Sequence, residues 1–523
     1  MPAADKLPRR DPLLERVLRA ASPAWAASRQ AARLREERAR IALDAFHELR
    51  ERRGRRRDPA GSSEVRKFDA ASRTARTQGW MAPLTAPDAT SSTFLAELVK
   101  RSRDLSRNNK WAAKAKRAIS THMVGDGVRV VVEHERDADR LLAQELFDQW
   151  AEEDADADGR MSLYGLQRLA AAEVAEAGEC LARLRLRRQS DGLAVPLQVQ
   201  ILESEFLDST QDSVLGLPDE GGRLRRLGVE FDQRGRRVGY WVWSQHPGVA
   251  GWTLESRFIP ADSLLHVYRV DRAGQVRGVP WGAPCLLDLR DLNDWADATM
   301  VRTKLAACFA GFITTEFEDS GGAISATGKA TEELEPGTVQ KLQPGEQITL
   351  ASPPGVEGME DFPKLTLHGI GVGYGVPYHV LAGDLSQVNF SSARIGNLDW
   401  ERELAGWRTD WLVPQLVRGV WRAWRSQAEL AGLIAPGCRM SWTPPSRGMI
   451  EPKIEAEAAV ARIRGGLSTL SEEQRASGWR PEDLMAEQAS DWERARALGI
   501  TLDSDPSRAA QGQASAAPAA PPA

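Results

Sequence analysis

From Thr93 onward the chain alternates between two hydrophobic periods, and the switches between them define the expected elements. "TFLAELVKRSRDLSRNNKWAAKAKRAISTHMVGDGVRVVVE" (93–133) reads as one or two amphipathic helices, a Gly turn and a strand, with Val128, Val130 and Val132 in period two. Ala138–Ala151 and Leu163–Ala177 repeat the helical period. Strands are expected at Glu179–Arg187, Pro196–Leu202, Arg226–Phe231, Val238–Val242 and Leu264–Tyr268, with turns at "DQRGRR" and "HPGVAG". A long Ala-rich helix is predicted from Trp281 to about Ala310. Residues 312–362 are Gly/Pro/Glu-rich with short β segments such as "TVQKL" and "QITLA". A polar, Ser-rich stretch, "DLSQVNFSSAR" (384–394), then runs into a helix carrying Trp400, Trp407 and Trp411. At ~100° per residue these three rings fall within roughly 40° of one another, with Trp421 not far off, which predicts a buried stripe that Pro414 should kink. A helical unit fills Pro452–Leu498, and "QGQASAAPAAPPA" closes the chain as a low-complexity tail.

Composition narrows the class. A chain of 523 residues with 42% hydrophobic residues can build two to four cores. Net charge is −4, so the molecule as a whole is not a charge-driven nucleic-acid binder. The exception is residues 1–58, Arg-rich with a net charge of about +7, an arm that suits nucleic acid, a partner or simple solvation equally. Cys180, Cys285, Cys308 and Cys438 are dispersed without a CxxC, which argues against a zinc site or disulfide framework and for reduced thiols in a cytoplasm. No apolar run reaches the ~18 residues needed to cross a bilayer, so no membrane partner is expected.

Catalytic signatures fail one by one. "DADADGRMSLYG" places Asp154, Asp156, Asp158 and Gly159 like the start of an EF-hand loop, but position twelve is Gly165, and an acidic turn before a helix is the better reading. "AISATGKA" has Ala323 and Ala330 where a P-loop needs Gly and Ser/Thr. "GIGVGYGVP" (369–377) misses the GxGxxG spacing and suits tight turns or helix packing. Ser386, Ser391 and Ser392 have no GxSxG elbow and no assigned base, with only His379 nearby in sequence. No cofactor, metal or catalytic residue is nominated.

Several of these stretches, in this order, resemble the lambda family of portal proteins of tailed double-stranded DNA bacteriophages. They are "FDAASRTARTQGW" (68–80), "RSRDLSRNNKWAAKAKRAISTHMVGDGVR" (101–129), "AGECLARLRLR", "ILESEFLD", and "IPADSLLHVYRVDRAGQVRGVPW" with Gln275, Arg277 and Gly278. "GVPYHVLAGDLSQVNFSSARIGNLDWERE" and "EPKIEAEA…GGLSTLSEEQRASGWRPEDLMAE" complete the series, which spans about residues 65–490. The resemblance implies an α+β fold of wing, stem, clip and crown, assembled as a ring of twelve subunits with a central channel. On this sequence it implies a basic arm at 1–64, a wing at 65–280, a first stem helix at 281–311 and a clip at 312–362. It further implies a second stem helix at 363–381, a tunnel loop at 382–393, a wing helix and return at 394–450, a crown at 451–500 and a disordered tail at 501–523. The implied role is a non-enzymatic conduit at one capsid vertex, through which double-stranded DNA is packaged and ejected without sequence preference. The implied partners are the terminase large subunit, which supplies the ATP chemistry, the major capsid or scaffold protein and head–tail adaptors; the implied place is the virion, after assembly in the host cytoplasm. Gln387 and Asn389 are the leading loop-tip contacts, with Ser391 and Ser392 beside them, and Arg394 either contacts phosphate or makes an intersubunit or capping bond. A weakly acidic body suits a conduit, because duplex DNA presents a charge every ~1.7 Å and a firm grip by many subunits would stall sliding. Two alternatives stand: a DNA-processing nuclease or ATPase that holds substrate with the basic arm, and a capsid or adaptor protein without a channel.

Overall fold

The computed structural model describes residues 84–213, 217–219, 221–249, 255–308, 312–315, 346–349, 361–386, 390–446, 448 and 451–500. The basic arm, the P-loop-like stretch around Ala323 and Ala330, "TVQKL", Gln387, Asn389 and the C-terminal tail lie outside these residues.

The fold is α+β. It begins with α1 (Pro87–Asn108) and α2 (Lys110–Val124), separated by Asn109, whose side chain accepts the Trp111 and Ala112 N–H groups at the new helix start. Ala112, Ala115, Ile119 and Met123 recur at helical spacing on α2 and are wholly buried. Strand β1 (Arg129–Glu133) buries Val130 and Val132, as period two requires. After α3 (Asp137–Gln149) and a π-helical turn at Trp150–Asp154, the acidic "DADADG" stretch closes on itself. The buried Asp156 carboxylate accepts the N–H groups of Asp158, Arg160 and Met161, and Gly165 sits inside α4 (Leu163–Ala177), capped by Ser162. This is an Asx-type turn into a helix, as its sequence suggests.

Two antiparallel sheets follow. Strands β2 (Glu179–Leu186), β3 (Leu197–Leu202) and β8 (Leu264–Tyr268) form one in the order β3-β2-β8. Strands β4 (Leu224–Arg226), β5 (Val229–Phe231), β6 (Arg237–Trp243) and β7 (Ser256–Pro260) form a second in sequence order. Leu181 and Leu264 from the first sheet meet Val229, Tyr240, Val242 and Ile259 from the second in a small core. The opposite face of β2, carrying Cys180, Ala182 and Leu184, joins the main core with α2, α3 and α4.

The predicted helix at Trp281 starts later. Trp281 is buried ahead of a 3₁₀ turn, and α5 runs Leu286–Cys308. Strands β9 (Phe312–Thr315) and β10 (Glu346–Thr349) pair antiparallel within the Gly/Pro-rich stretch. The segment expected as one second stem helix, 363–381, is two helices, α6 (Asp361–Tyr374) and α7 (Tyr378–Ala382). Gly369, Gly371 and Gly373 are helical, and a Cβ on Gly373 would lie 2.9 Å from Cys285 Sγ, so this glycine is there for close packing. Gly375, at φ +71°, ends the helix, and Pro377 forbids its continuation.

The expected loop 382–393 is also shorter, because α8 begins at Phe390 and runs to Trp407. Ser391 and Ser392 therefore stand in its first turn, a position where small polar residues are well tolerated. Pro414 falls within a π-helical stretch, Arg408–Val417, that leads into α9 (Arg418–Leu430). Proline has no N–H to give an α-helical hydrogen bond, and the π-helical stretch is where the chain accommodates it. Strand β11 (Arg439–Thr443) returns to pair with β1. The helices α10 (Pro452–Arg464), α11 (Leu470–Ala476) and α12 (Pro481–Ala497) bury little: Gln474 and Pro481 are their buried residues among those described. Arg480 ties this unit back to Asp148 at 2.7 Å. No described helix is long and apolar enough to cross a membrane.

Candidate functional site

The segment from Gly383 to Trp424 combines a polar connector with a deeply seated helix. At the connector, Asp384 accepts the backbone N–H of Ser386 at 3.0 Å and its hydroxyl at 2.6 Å, and the Tyr378 hydroxyl at 3.1 Å. The Ser386 hydrogen bonds, helped by Tyr378, hold the Asp384 carboxyl below the usual range. Ser386 is thus bonded to a carboxylate that serves as a turn brace. His379 faces Asn397 Oδ1 across 2.9 Å instead of reaching the serine, so the two nearest candidates for a nucleophile and base are each otherwise engaged. Tyr378 stacks on His368 with ring centroids 4.0 Å apart. Leu385 and Ser386 are exposed.

Arg394 is placed by an acid of its own chain. Its guanidinium lies 3.4 Å from Glu451, at the start of α10, and both side chains are partly exposed. Of the five residues nominated from sequence, the structure thus gives side-chain surroundings for Arg394 alone. Ser391 and Ser392 share its helix, and Gln387 and Asn389 lie outside the described residues.

The far end of the segment is fixed by aromatic packing. Trp400, Trp411, Trp421 and Trp424 are 5, 2, 2 and 0% exposed. Trp281 meets Trp407 and Trp411 edge-on at 4.6 and 6.2 Å, and Phe147 meets Trp421 and Trp424 at 5.5 and 5.0 Å. Each buried ring contributes roughly 2–3 kcal/mol by area, with edge-to-face geometry adding to it. Arg408 donates to the carbonyls of Met123 and His122, each at 2.7 Å, and so satisfies the C-terminus of α2.

A charged network that sequence patterning does not reveal links the two sheets. Glu179, wholly buried at the start of β2, accepts from Arg277 Nε at 2.6 Å and from the Gly278 N–H at 2.7 Å, and faces His266 Nε2 at 2.9 Å. Arg277 also donates to the Leu227 carbonyl at 3.1 Å. Gly278 is obligatory there, since a Cβ would sit 2.0 Å from the Gly178 carbonyl oxygen. Arg237 donates to His266 Nδ1 at 3.0 Å and to the Tyr268 hydroxyl, so the neutral His266 ring carries its proton on Nε2. Burial works against the Glu179 charge, but the Arg277 charge and the His266 hydrogen bond outweigh it and bring its pKa down to about 2. Burial, only partly offset by Glu179, depresses His266 to about 4. The Gln275-Arg277-Gly278 stretch is the part of this network marked in the sequence.

Arg103 gathers a second cluster, bonding Glu173 and Glu205. Burial pushes Glu173 up to about 7 despite its bonds to Arg103. Glu203, Glu205 and His246 come close enough to suggest a metal site. Their donors are already committed: Glu205 binds Arg103, and His246 Nδ1 accepts the Gly248 N–H, leaving the ring proton on Nε2, 3.0 Å from Glu203. The trio is better suited to an ion-paired surface than to a cation.

Residues 73–408 match the family model described as phage portal protein, lambda family. The chain is 26% identical to the probable portal protein of Halomonas phage phiHAP-1, over 83% of this chain and 88% of that one. It is 24% identical to the portal protein of Escherichia phage N15 (81% and 89% covered) and 23% identical to portal protein B of Escherichia phage lambda (76% and 84%). Among solved structures it is similar to a chain in the neck of a native gene transfer agent particle computed with C12 symmetry. That likeness has a TM-score of 0.45 and 15% identity, covering 74% of this chain and 94% of that one.

Proposed function

This chain belongs to the lambda family of phage portal proteins, and from that premise we propose that twelve copies form a ring at one capsid vertex and pass double-stranded DNA through its centre. The observation that carries the reading is the junction at residues 383–424, in which a polar connector hangs from a tryptophan-locked helix. A moving polyanion needs contacts too weak to hold it, and a ring needs walls that do not yield. The connector offers the first and the anchor the second.

On this reading residues 65–280 build the wing, α5 is the first stem helix, 312–362 the clip, and α6 with α7 the second stem element. Residues 383–389 are the channel loop, with Gln387 and Asn389 at its tip and Ser391, Ser392 and Arg394 on the helix that follows. Residues 390–450 return to the wing, and 451–500 form the crown. The Arg394–Glu451 pair favours a role in fastening that helix to the crown over a role on phosphate. The terminase large subunit, capsid or scaffold protein and head–tail adaptors dock on the ring, which is assembled in the host cytoplasm and carried in the virion. Catalysis is assigned to the terminase and none to this chain.

The test is the purified full-length protein. The reading expects a particle many times the 57.5 kDa chain mass, with a central hole in electron micrographs and no ATP turnover or metal-dependent nuclease activity. A strictly monomeric or dimeric protein at high concentration, or either activity in the assays, would count against it.

A further inference from the structure

We propose that the free end of strand β2 carries a second DNA contact, in which Arg183, Arg185 and Arg187 bind phosphates of double-stranded DNA outside the channel loop. Along β2, Cys180, Ala182 and Leu184 turn into the main core, so the odd-numbered residues share the other face. Leu181 begins that face and is buried against the second sheet. Beyond it the face becomes cationic, with Arg183, Arg185 and Arg187 all half-buried at a two-residue repeat of ~6.6–6.8 Å.

Two of the three arginines are oriented by amides. Arg185 donates to Gln200 Oε1 at 2.9 and 2.6 Å, and Arg187 Nε donates to Gln198 Oε1 at 2.8 Å. Gln198 is itself held by the carbonyls of Asp154 and Asp156, at 3.2 and 3.0 Å. Among the described residues, none of the three makes an ion pair with a carboxylate, in contrast to Arg103, Arg225 and Arg277. The charge that does reach Arg183 is of its own sign: burial, then Arg185 and Arg257, lower its pKa. Three guanidiniums without carboxylate partners thus share one face, two of them fixed by glutamines, each with N–H donors to spare.

The complement is a regularly charged polyanion. The planar fork of each guanidinium fits phosphate, and glutamine placement keeps Arg185 and Arg187 aimed. An acidic protein is the weaker match, because a stable protein interface centres on apolar or aromatic anchors. On this face the β3 partners of Arg183 and Arg185 are Gln200 and Gln198, and Leu264, which pairs with Arg183 from β8, is buried and offers no exposed apolar anchor, whereas exposed Leu186 lies on the other side of the strand. Duplex DNA as the cargo comes from the portal reading; the contact itself does not depend on the loop.

The experiment measures binding of full-length protein to a mixed-sequence linear duplex by fluorescence anisotropy across a salt series. The variant R183Q/R185Q/R187Q should reduce the magnitude of the log K against log[salt] slope by ~2.7, about 0.9 for each phosphate no longer bound, and weaken binding at least ~10-fold at low salt. R187Q alone, at the exposed end of the strand, should reduce the slope by ~0.9 and serves if the triple variant fails to fold. An unchanged slope in a folded variant overturns the proposal, as does a loss confined to binding of polyglutamate or to particle size. Wild-type protein that binds no duplex at all would overturn this proposal, while the portal reading stands or falls on particle size and the central hole.

Discussion

Trp411, Trp421 and Trp424 are 2, 2 and 0% exposed, whereas Leu385, earlier in the sequence and ahead of α8, is 64% exposed. The aromatic end is held by three rings from two other parts of the chain, Phe147 with Trp150, and Trp281. The connector end is held by hydrogen bonds from immediate sequence neighbours, Tyr378 and Ser386 onto Asp384. Local polar bonds in water contribute little net stability, because water competes for every partner. Buried aromatic contacts have no such competitor. The segment thus runs from a part held by bonds that water can replace to one that water cannot reach, the contrast on which the proposed channel-loop assignment rests.

Substitutions can break this contrast in graded steps. The largest effect is expected away from the connector, at the buried network. Arg277→Ala leaves Glu179 charged and uncompensated, and should cost ~3–5 kcal/mol in denaturant unfolding, enough to lose soluble protein. Trp424→Ala should cost a similar ~3–5 kcal/mol by opening a cavity against Phe147 and Trp150. If either variant unfolded at wild-type denaturant concentrations, the rigid half of the comparison would be lost.

A smaller effect is expected from pH. His266 has its folded pKa depressed to about 4, so the unfolded chain binds the extra proton as pH falls below ~6.5, and stability declines from there toward 4. Glu179, depressed to about 2, continues the decline from ~4.3 downward. Glu173 has the opposite sign: raised to about 7, it favours the fold most below ~4.3 and loses that contribution as pH rises to 7. His266→Gln should therefore flatten the acid limb between pH 6.5 and 4 in a melting series, and an unaltered limb would remove His266 as its source. The smallest effect belongs to the connector end. Arg394→Ala breaks a half-exposed pair and should shift stability by no more than ~1 kcal/mol. A loss comparable to that of Trp424→Ala would erase the distinction between the two ends.

The same contrast explains what could be read from the sequence. Val130 and Val132, the α2 stripe and Trp400 with Trp411 were legible because one helical or strand period governs each of them. The asymmetry of the polar stretch and its tryptophan helix was visible too. The boundary at Phe390 was not, since Ser391 and Ser392 are as compatible with a first helical turn as with a loop. The split at Gly375 was masked because Gly369–Gly373 looked like turns and are helix-packing positions. Glu179 could not be joined to His266 and Arg277, 87 and 98 residues away, by any local pattern. Arg277 and Gly278 stood out through the family resemblance alone, and their role as a buried ion pair and a close backbone crossing needed the fold.

The central claim, a yielding lip on an unyielding ring, is tested most directly by replacing Leu385–Asn389 with two glycines in the full chain. Particles would be imaged by electron microscopy and DNA retention measured after packaging. The account predicts rings indistinguishable from wild type and a loss of packaged or retained DNA. Rings that fail to form, or DNA retained at the wild-type level, would contradict it.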